Sequence, residues 1–282
     1  MLPTHELSRA EAVKQPLDSR INSSFLAVLL LLFVAHILTL NAQTNLEAFS
    51  WFNELGASLP NWLLLCVTDF GDGITAGALI LICLTYKPQW LYRVIVTTLL
   101  CALCVHFFKQ YFDAPRPAAV LEVINIIGKA RYEHAFPSGH TTTAFALAGV
   151  IWLLADKLWC KLSVLMLAVA VGLSRIAVGA HWPEDIAFGA ILGWLLAYLA
   201  CSAVPLSTLK LKTQYWIIFA LSMIVLVSEL KHLGKDPFSV ILFNRYLIIT
   251  VLISLTAYMC SKFQLSDKPS PKMHKLSHRR EI

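Results

Sequence analysis

The stretch SFLAVLLLLFVAHILTLN at positions 24–41 decides the fold class of this chain. It contains no Asp, Glu, Lys or Arg, and about 20 mainly apolar residues are enough for a helix to cross the ~30 Å hydrocarbon layer of a membrane. Similar apolar runs recur along the sequence with short connections between them. The candidate spanning segments number eight: 24–41, 62–86, 91–112, 140–156, 160–179, 186–205, 215–231 and 239–260.

The composition of the 282 residues favours the same fold class. Apolar and aromatic types (AVILMFWYC) make up 57% of the chain and DEKR only 14%, with a mean hydropathy of +0.66. An average soluble domain is about 25% charged, so this chain lacks the charge for a surface that faces water throughout. Because the runs are continuously apolar and do not alternate with period two, helices are favoured over a closed β-barrel. We predict an all-α, polytopic membrane bundle of about eight transmembrane helices.

The second apolar run is interrupted by polar residues and glycines. Asp69, Gly71, Asp72 and Gly73 fall inside it. Two interpretations follow: a shorter amphipathic helix over 57–70 on the membrane surface, or a single helix kinked at the glycines. In either case we expect the two aspartates to cap helix ends, because their side chains accept bonds from free backbone N–H groups.

The distribution of Lys and Arg predicts the orientation in the membrane, since basic residues concentrate in cytoplasmic loops. Fifteen of the 23 basic residues fall in alternate connections and the two terminal segments, whereas the loop at 42–61 contains none. Both termini are therefore predicted to be cytoplasmic, including an N-terminal segment 1–23 and a basic tail 261–282. The net charge of +6 is mostly this topology signal, so no nucleic-acid partner is predicted. The fifteen residues are Arg9, Lys14, Arg20, Lys87, Arg93, Lys157, Lys161, Lys210, Lys212, Lys262, Lys268, Lys272, Lys275, Arg279 and Arg280.

Six other ionisable residues gather, by helix parity, at the opposite face. Ionisable groups at membrane depth are costly, so a cluster of six needs a reason. Three are cations, which predicts a target with more than one negative charge, and phosphate suits arginine because guanidinium forks match its oxygens. The six residues are Lys109, Arg116, His140, Arg175, His181 and Asp185.

Two helix starts add to this cluster. Ser138 and Gly139 stand where a helix is expected to begin, and they supply a hydroxyl group and backbone N–H groups for an anion. Pro183 is typical of a first helical turn, which places Asp185 in that turn, four residues after His181. On a shared face the carboxylate could hold one imidazole nitrogen and leave the other free as a nucleophile.

Two other interpretations of the cluster are alternatives to a phosphate-binding site. Two histidines and an acid could bind a metal, but three nearby cations would repel a divalent ion, so no metal is predicted. Lys109 or Arg175 alone could simply extend to the lipid headgroups. That interpretation does not explain both cations together with the histidines and the Ser-Gly helix start.

The same residues resemble a known signature in three parts. They are Lys109-x6-Arg116-Pro117, Pro137-Ser138-Gly139-His140 and Ser174-Arg175-x5-His181-x3-Asp185. This ordered set resembles the signature of the type 2 phosphatidic acid phosphatase (PAP2) superfamily, with all eleven specified positions present. The resemblance covers roughly 50–205. It divides the membrane part into a PAP2-like catalytic core at 24–205 and an additional helix pair at 206–260, whose purpose the sequence does not indicate.

The resemblance implies a role for each residue. His181 would attack phosphorus and form a phosphohistidine, and Asp185 would orient it. His140 would protonate the leaving oxygen and then help to activate water. The phosphate oxygens would be held by Lys109, Arg116, Ser138, Gly139 and Arg175. No metal or other cofactor is implied.

Together these arguments predict a metal-independent lipid phosphatase of the inner or plasma membrane, with its site facing the periplasm or exterior. Candidate substrates are undecaprenyl diphosphate, phosphatidic acid, phosphatidylglycerol phosphate and a lipid A phosphate, entering from the outer leaflet. A lipid-to-lipid phosphotransferase using the same site is the alternative, and a lipid transporter or flippase is the non-enzymatic one. Membrane lipids are the expected partners, and the sequence leaves the oligomeric state open.

A few other polar residues have two interpretations each. His106 lies one turn before Lys109 and could support the site or simply pack in the bundle. Glu133 and His134 could touch a headgroup or lie in a solvated loop. Arg245, after Asn244, could extend to the membrane surface or contact a lipid phosphate.

Overall fold

The structure is a computed structural model that describes residues 23–232, 246–248, 250–255 and 258–259. The part that it describes is built from helices joined by turns and loops. Asn244, Arg245 and nearly all of the two predicted terminal segments lie outside the described residues. The helices are α1 (Ser23–Thr39), α2 (Ala42–Ser58), α3 (Asn61–Asp69), α4 (Gly73–Tyr86), α5 (Leu91–Phe112), α6 (Pro117–Val120), α7 (Gly139–Leu154), α8 (Leu158–Ala177), α9 (Pro183–Ala203) and α10 (Leu211–His232), with a 3₁₀ turn at Pro88–Trp90 before α5.

The predicted fold class, an all-α membrane bundle, is confirmed. Within the described ranges, four helical segments are long and apolar enough to cross a membrane, and two bent helix pairs raise the number to six if each pair is one span. Helix α7 is apolar but shorter, with 16 residues. The predicted number of eight spanning helices stays a prediction, because its last run at 239–260 is described only in part. The four segments are Pro88–Val120, Leu158–Ala177, Pro183–Ala203 and Leu211–Leu230.

Residues 42–58 form a helix where the sequence analysis expected a loop. Helix α2 bends away from α1 by 104°. Asn41 caps it, because its side-chain oxygen accepts a bond from the Thr44 N–H at 3.1 Å. Polar residues lie among the apolar ones in this segment, so it contains no long apolar run and was not predicted to be a helix. One of them, Asn53, is buried and donates to the Asn125 and Ala177 carbonyls at 2.8 and 3.2 Å, so α2 joins the loop after α6 to the end of α8.

The interruption of the second apolar run is a break between two helices. Helices α3 and α4 meet at 57°, which agrees with the kinked-helix interpretation. Asp72 caps α4, since its Oδ1 accepts from the Ile74 N–H at 2.9 Å. Asp69 accepts from the Thr75 hydroxyl at 3.1 Å across the break. These contacts replace the backbone bonds that the break removes.

Helices α7 and α9 pack with their backbones almost in contact, because small residues face each other. A side chain at Gly189 would place its Cβ 2.9 Å from the Ser138 carbonyl oxygen. One at Gly193 would overlap the Thr142 carbonyl oxygen, and one at Gly149 would come 2.7 Å from the Ala197 Cβ. Such distances are shorter than van der Waals contact. The close packing sets the first turns of α7 and α9 side by side, with the Ser138 N–H donating to the Asp185 carbonyl at 3.1 Å.

Candidate active site

The predicted site residues converge at one end of the bundle, called here the site end. They come from the end of α5, the loop 113–138, the starts of α7 and α9, and the end of α8. The opposite end holds the turns after α4, α7 and α9, where the Arg93 Nε donates to the Val204 carbonyl at 2.8 Å. The eight residues at the site end are Lys109, Arg116, Ser138, Gly139, His140, Arg175, His181 and Asp185.

His181 and Asp185 form a buried pair at the start of α9. The His181 Nδ1 lies 3.2 Å from the Asp185 Oδ2, and the two side chains are 3% and 1% exposed. The same carboxylate oxygen accepts from the Trp182 N–H at 2.9 Å. Pro183 opens the helix at a position where no backbone donor is needed, which puts Asp185 at its third residue. The carboxylate therefore fixes the imidazole by one nitrogen only.

The other nitrogen of His181 faces a cation. The Arg116 Nη1 lies 3.3 Å from the His181 Nε2, and because a guanidinium group can only donate, Nε2 must accept with its lone pair. The proton of the ring is then on Nδ1, where it is donated to Asp185. Burial lowers the pKa of His181 well below 6.5, and the nearby charges of Arg116, Arg175 and Lys109 lower it further. The imidazole is thus held neutral, with Nε2 available as a nucleophile.

Main-chain carbonyl groups hold two of the three cations. Arg116 donates to the carbonyls of Glu133, Ala180 and His134 at 2.8, 2.9 and 3.3 Å. The Lys109 Nζ donates to the His134 carbonyl at 2.6 Å. Glu133 and His134 thus reach the cations through their backbone, while the His134 ring contacts Asp113 at 2.9 Å. Every residue has a main-chain carbonyl group, so no residue type in the sequence marks these contacts.

Arg175 is held by a residue outside the site predicted from the sequence. Its Nη1 donates to the hydroxyl of Thr68 at 2.7 Å. Thr68 lies near the end of α3 and is 8% exposed. In the sequence, the feature that sets Thr68 apart is its position immediately before Asp69, where the apolar run is interrupted. The break between α3 and α4 therefore supports the site as well as interrupting a helix.

The start of α7 presents Gly139 and His140. Ser138 is the cap residue of α7, and its hydroxyl accepts from the Thr141 hydroxyl at 2.9 Å. The Ser138 N–H is already bonded to the Asp185 carbonyl, so the free backbone donors of the first turn begin at Gly139. Among the described residues, the His140 ring has no hydrogen-bond partner. Gly71 packs directly on this residue, since a Cβ there would lie 2.8 Å from the His140 Cβ.

A cavity of about 420 Å³ leads away from His140 between α4, α5 and α7. His106, Lys109 and Gly139 also line it at the site end, and Val94 and Val150 line it near the other end. Lys109 and Val94 are fifteen residues apart on α5, a distance of about 22 Å at 1.5 Å per residue. Most of the wall between them is apolar or small, including the buried thiol of Cys101. The cavity has the length and the surface chemistry to hold a hydrocarbon chain.

No three His, Cys, Asp or Glu side chains within the described ranges are arranged to hold a metal ion. The residues that meet at the site end are instead three cations, two histidines and one carboxylate. Three positive charges around an unprotonated imidazole are suited to a multiply charged anion such as phosphate.

Comparison with known proteins agrees with this geometry. The sequence model of the PAP2 superfamily matches residues 90–208, a range that includes all eight site residues. The chain is also 31% identical over 176 residues to the bacitracin transport permease protein BcrC of Bacillus licheniformis, covering 58% of this chain and 82% of that protein. The chain belongs to the PAP2 superfamily. The resemblance noted from the sequence is thereby confirmed at the level of the family.

Two further proteins are similar to more than half of this chain. An undecaprenyl-diphosphatase of Sulfolobus acidocaldarius is 26% identical over 164 residues, covering 57% of this chain and 78% of that protein. The crystal structure of Aquifex aeolicus LpxE superposes with a TM-score of 0.50 at 29% identity, covering 55% of this chain and 93% of that one. Helix α10 begins after the residues that the family model matches.

Proposed function

We propose that this membrane phosphatase of the PAP2 type removes a phosphate group from a lipid phosphate or diphosphate through a phosphohistidine intermediate. The observation that carries the proposal is the state of His181. Its Nδ1 is fixed by Asp185, its Nε2 lone pair faces the cations, and the apolar cavity begins beside them. A nucleophile, a phosphate cradle and a place for a hydrocarbon chain are therefore adjacent.

In the first step, Nε2 of His181 attacks phosphorus. A bond forms between nitrogen and phosphorus while the bond from phosphorus to the leaving oxygen breaks. His140 donates a proton to that oxygen, so the lipid leaves as an alcohol or, from a diphosphate, as a monophosphate. Asp185 stabilises the positive charge that develops on the ring of His181.

In the second step, a water molecule attacks the phosphohistidine. His140, now unprotonated, accepts a proton from the water as the new oxygen–phosphorus bond forms. The nitrogen–phosphorus bond breaks, inorganic phosphate leaves, and His181 regains its lone pair. His140 thus acts first as an acid and then as a base. In support of this double role, its ring has no hydrogen-bond partner among the described residues that would occupy either nitrogen.

Lys109, Arg116 and Arg175 neutralise the phosphate oxygens in both steps, together with the Ser138 hydroxyl and the Gly139 N–H. Negative charge on those oxygens shifts during phosphoryl transfer, and fixed cations stabilise it without reorganising. We therefore propose that the reaction needs no added metal ion.

The cavity supports a lipid as the substrate. A phosphate held at the cations would place its hydrocarbon chain along the ~22 Å of apolar wall between Lys109 and Val94. The basic residues of the turns, including Lys87, Lys157 and Lys210, lie at the opposite end of the bundle. By the positive-inside rule, that end and both termini are cytoplasmic, and the site faces the periplasm or exterior.

The test is release of inorganic phosphate from a panel of lipids by the purified full-length protein in detergent. The panel contains undecaprenyl diphosphate, phosphatidic acid, phosphatidylglycerol phosphate and lipid A, each assayed with EDTA and with vanadate. We expect release from at least one lipid, persistence in EDTA, inhibition by vanadate and loss in His181→Ala. Full activity of His181→Ala, or a strict requirement for Mg²⁺, would overturn the mechanism.

Two alternatives give different results in the same assay. A lipid-to-lipid phosphotransferase would move labelled phosphate to an acceptor lipid and release little of it free. The name of the Bacillus licheniformis relative includes the word transport. A transporter would release no phosphate in this assay, because a protein in detergent has no two compartments between which to move a substrate.

A further inference from the structure

The turn between α8 and α9 carries the nucleophile. Helix α8 ends at Ala177 and α9 begins at Pro183, and His181 lies in the turn between them. The His181 N–H donates to the Arg175 carbonyl at 3.2 Å, and the Ala180 N–H donates to the same carbonyl at 3.0 Å. The position of this turn therefore decides where Nε2 of His181 lies relative to the cations that hold the phosphate.

Asn53 of α2 holds the turn from outside. This residue is 6% exposed, and its side-chain amide makes three hydrogen bonds. The amide nitrogen donates to the carbonyls of Ala177 and Asn125 at 3.2 and 2.8 Å, and the amide oxygen accepts from the Asn125 N–H at 2.9 Å. An asparagine amide has two N–H donors and one acceptor oxygen, so all three groups are used here. One side chain thus joins α2 to the end of α8 and to the loop after α6.

The loop at Asn125 supports the turn at a second point. The Ile127 N–H donates to the Val178 carbonyl at 3.2 Å. Gly179 has a positive φ of 73°, and a Cβ at this position would lie 2.5 Å from the Asn125 carbonyl oxygen. The loop and the turn are therefore in direct contact. Because Asn53 is bonded to both of them, it fixes the pair to α2 as a unit.

The turn has another anchor inside the site, but that anchor has a second task. Arg116 donates to the Ala180 carbonyl at 2.9 Å, and it is also one of the cations proposed to bind phosphate. A bound phosphate competes for this guanidinium group during the reaction. The partners of Asn53 are backbone groups of the protein, so its bonds hold the turn whether or not phosphate is bound. Nucleophilic attack requires this constancy, because a misplacement of about 1 Å can slow a reaction ~10²-fold.

We propose that Asn53 is a positioning residue for the nucleophile, which holds the turn 178–181 so that Nε2 of His181 stays in line with the phosphorus atom. The inference rests on the proposed function, because it takes His181 as the nucleophile. Helix α2 ends before the residues that the family model matches. The proposal gives this helix a part in the reaction, through the turn that it holds.

The experiment compares the binding of inorganic phosphate and of vanadate to the purified full-length protein in detergent. Phosphate binding needs the cations, whereas vanadium also accepts the lone pair of the nucleophile as a fifth ligand and so resembles the transition state. The ratio of the Kd for phosphate to the Kd for vanadate therefore reports where Nε2 of His181 lies. Thermal unfolding of each variant is measured alongside.

The variants are Asn53→Ala, Asn53→Asp and Ser50→Ala. Asn53→Asp keeps the shape of the side chain and the acceptor for the Asn125 N–H, but it removes both N–H donors. Ser50 is the matched control because it is exposed on the same helix, and its hydroxyl donates to the Leu46 carbonyl of that helix at 2.9 Å.

We expect vanadate to bind the wild type more tightly than phosphate does, as a transition-state analogue should. Asn53→Ala and Asn53→Asp should each lower the ratio by about tenfold or more, because the nucleophile is displaced. Phosphate should bind both variants within a few-fold of wild type, since Arg175 is still held by Thr68. Ser50→Ala should keep the ratio of the wild type.

An unchanged ratio in a folded Asn53 variant would overturn the proposal, and so would an equal fall in Ser50→Ala. Parallel weakening of both anions would also overturn it, because that result indicates a general loss of structure. If Asn53→Ala does not fold, the isosteric Asn53→Asp decides by the same ratio. If the wild type binds vanadate no more tightly than phosphate and releases phosphate from no lipid of the panel, the proposed function itself is wrong.

Discussion

The guanidinium of Arg116 contacts Nε2 of His181, the atom proposed to attack phosphorus, at 3.3 Å. Arg116 therefore covers the lone pair of the nucleophile and disfavours its protonation. When a phosphate binds, its oxygens can replace Nε2 as the partner of the guanidinium. The same residue then protects the nucleophile before the reaction and binds the phosphate during it.

This contact makes the pH dependence of activity a test of the site. Burial and the cation of Arg116 lower the pKa of His181 well below 6.5, and the neutral ring is the reactive form. Activity should therefore persist below pH 6.5 and fall only as the pH passes through the lowered pKa. In Arg116→Gln the imidazolium form is less disfavoured, so the acidic limb of the kcat/KM profile should move to higher pH.

The measurement is kcat/KM against pH, which reports ionisations of the free enzyme. Lys157→Gln, a charge change at the opposite end of the bundle, is the control and should leave the limb in place. A limb that stays unmoved in Arg116→Gln, or that moves to lower pH, would contradict the role given to this cation.

The role of His140 can be separated by the leaving group. For a lipid substrate, His140→Ala should lower kcat by about 10²–10⁴-fold, the usual contribution of a general acid or base. p-Nitrophenolate leaves without a proton, so with p-nitrophenyl phosphate the first step should survive while the water step is slow. Rapid mixing should then show a burst of nitrophenolate close to one per site. Absence of the burst, with both substrates equally impaired, would indicate that His140 binds phosphate instead.

Thr68 should act on catalysis through Arg175. Thr68→Val keeps the shape of the side chain and removes the acceptor of the 2.7 Å bond from Arg175. A bond to a charged group contributes about 1.5–3 kcal/mol, so we expect vanadate to bind roughly ten to a hundred times more weakly. Thr68→Ser keeps the hydroxyl and should bind vanadate within a few-fold of wild type. If Val and Ser behave alike, the hydroxyl has no part in holding Arg175.

Asp185→Asn tests the charge of the carboxylate apart from its geometry. The amide oxygen can still accept from the Trp182 N–H and the His181 Nδ1, as Oδ2 does now. Formation of the phosphohistidine should slow by about tenfold or more, because the positive ring of the intermediate loses its counter-charge. The test is the rate of ³²P incorporation in a single turnover, with thermal unfolding measured alongside. A normal rate in a folded variant would contradict the proposed role.

Much of the architecture follows from the sequence because its signals are local. Continuous apolar runs predict membrane helices, and the break at Asp69 to Gly73 was visible as polar residues within one run. The pairing of His181 with Asp185 follows from Pro183 at the start of a helix. Each of these inferences depends on residues within one or two turns of each other.

What the sequence could not show depends on long-range contacts or on backbone atoms. Helix α2 was missed because Asn53 and its polar neighbours interrupt the apolar pattern, and their partners lie far away in the chain. Thr68 contacts Arg175 because α3 packs against the end of α8, and this long-range contact has no signal in the local sequence. The carbonyl groups of Glu133 and His134 that hold the cations are present in every residue, so no residue type marks them.

The glycine contacts between α7 and α9 divide the molecule into a fixed part and a variable part. The backbones carrying His140 and Asp185 interlock, so these two residues keep their spacing whatever surrounds them. The cavity is lined mainly by α4, α5 and the side of α7 away from this contact. Apart from Lys109, which holds phosphate in the proposed mechanism, cavity residues on α4 and α5 can therefore change, and with them the lipid that is accepted, without loss of the reaction. A single chemistry can in this way be inherited by enzymes that act on very different lipids.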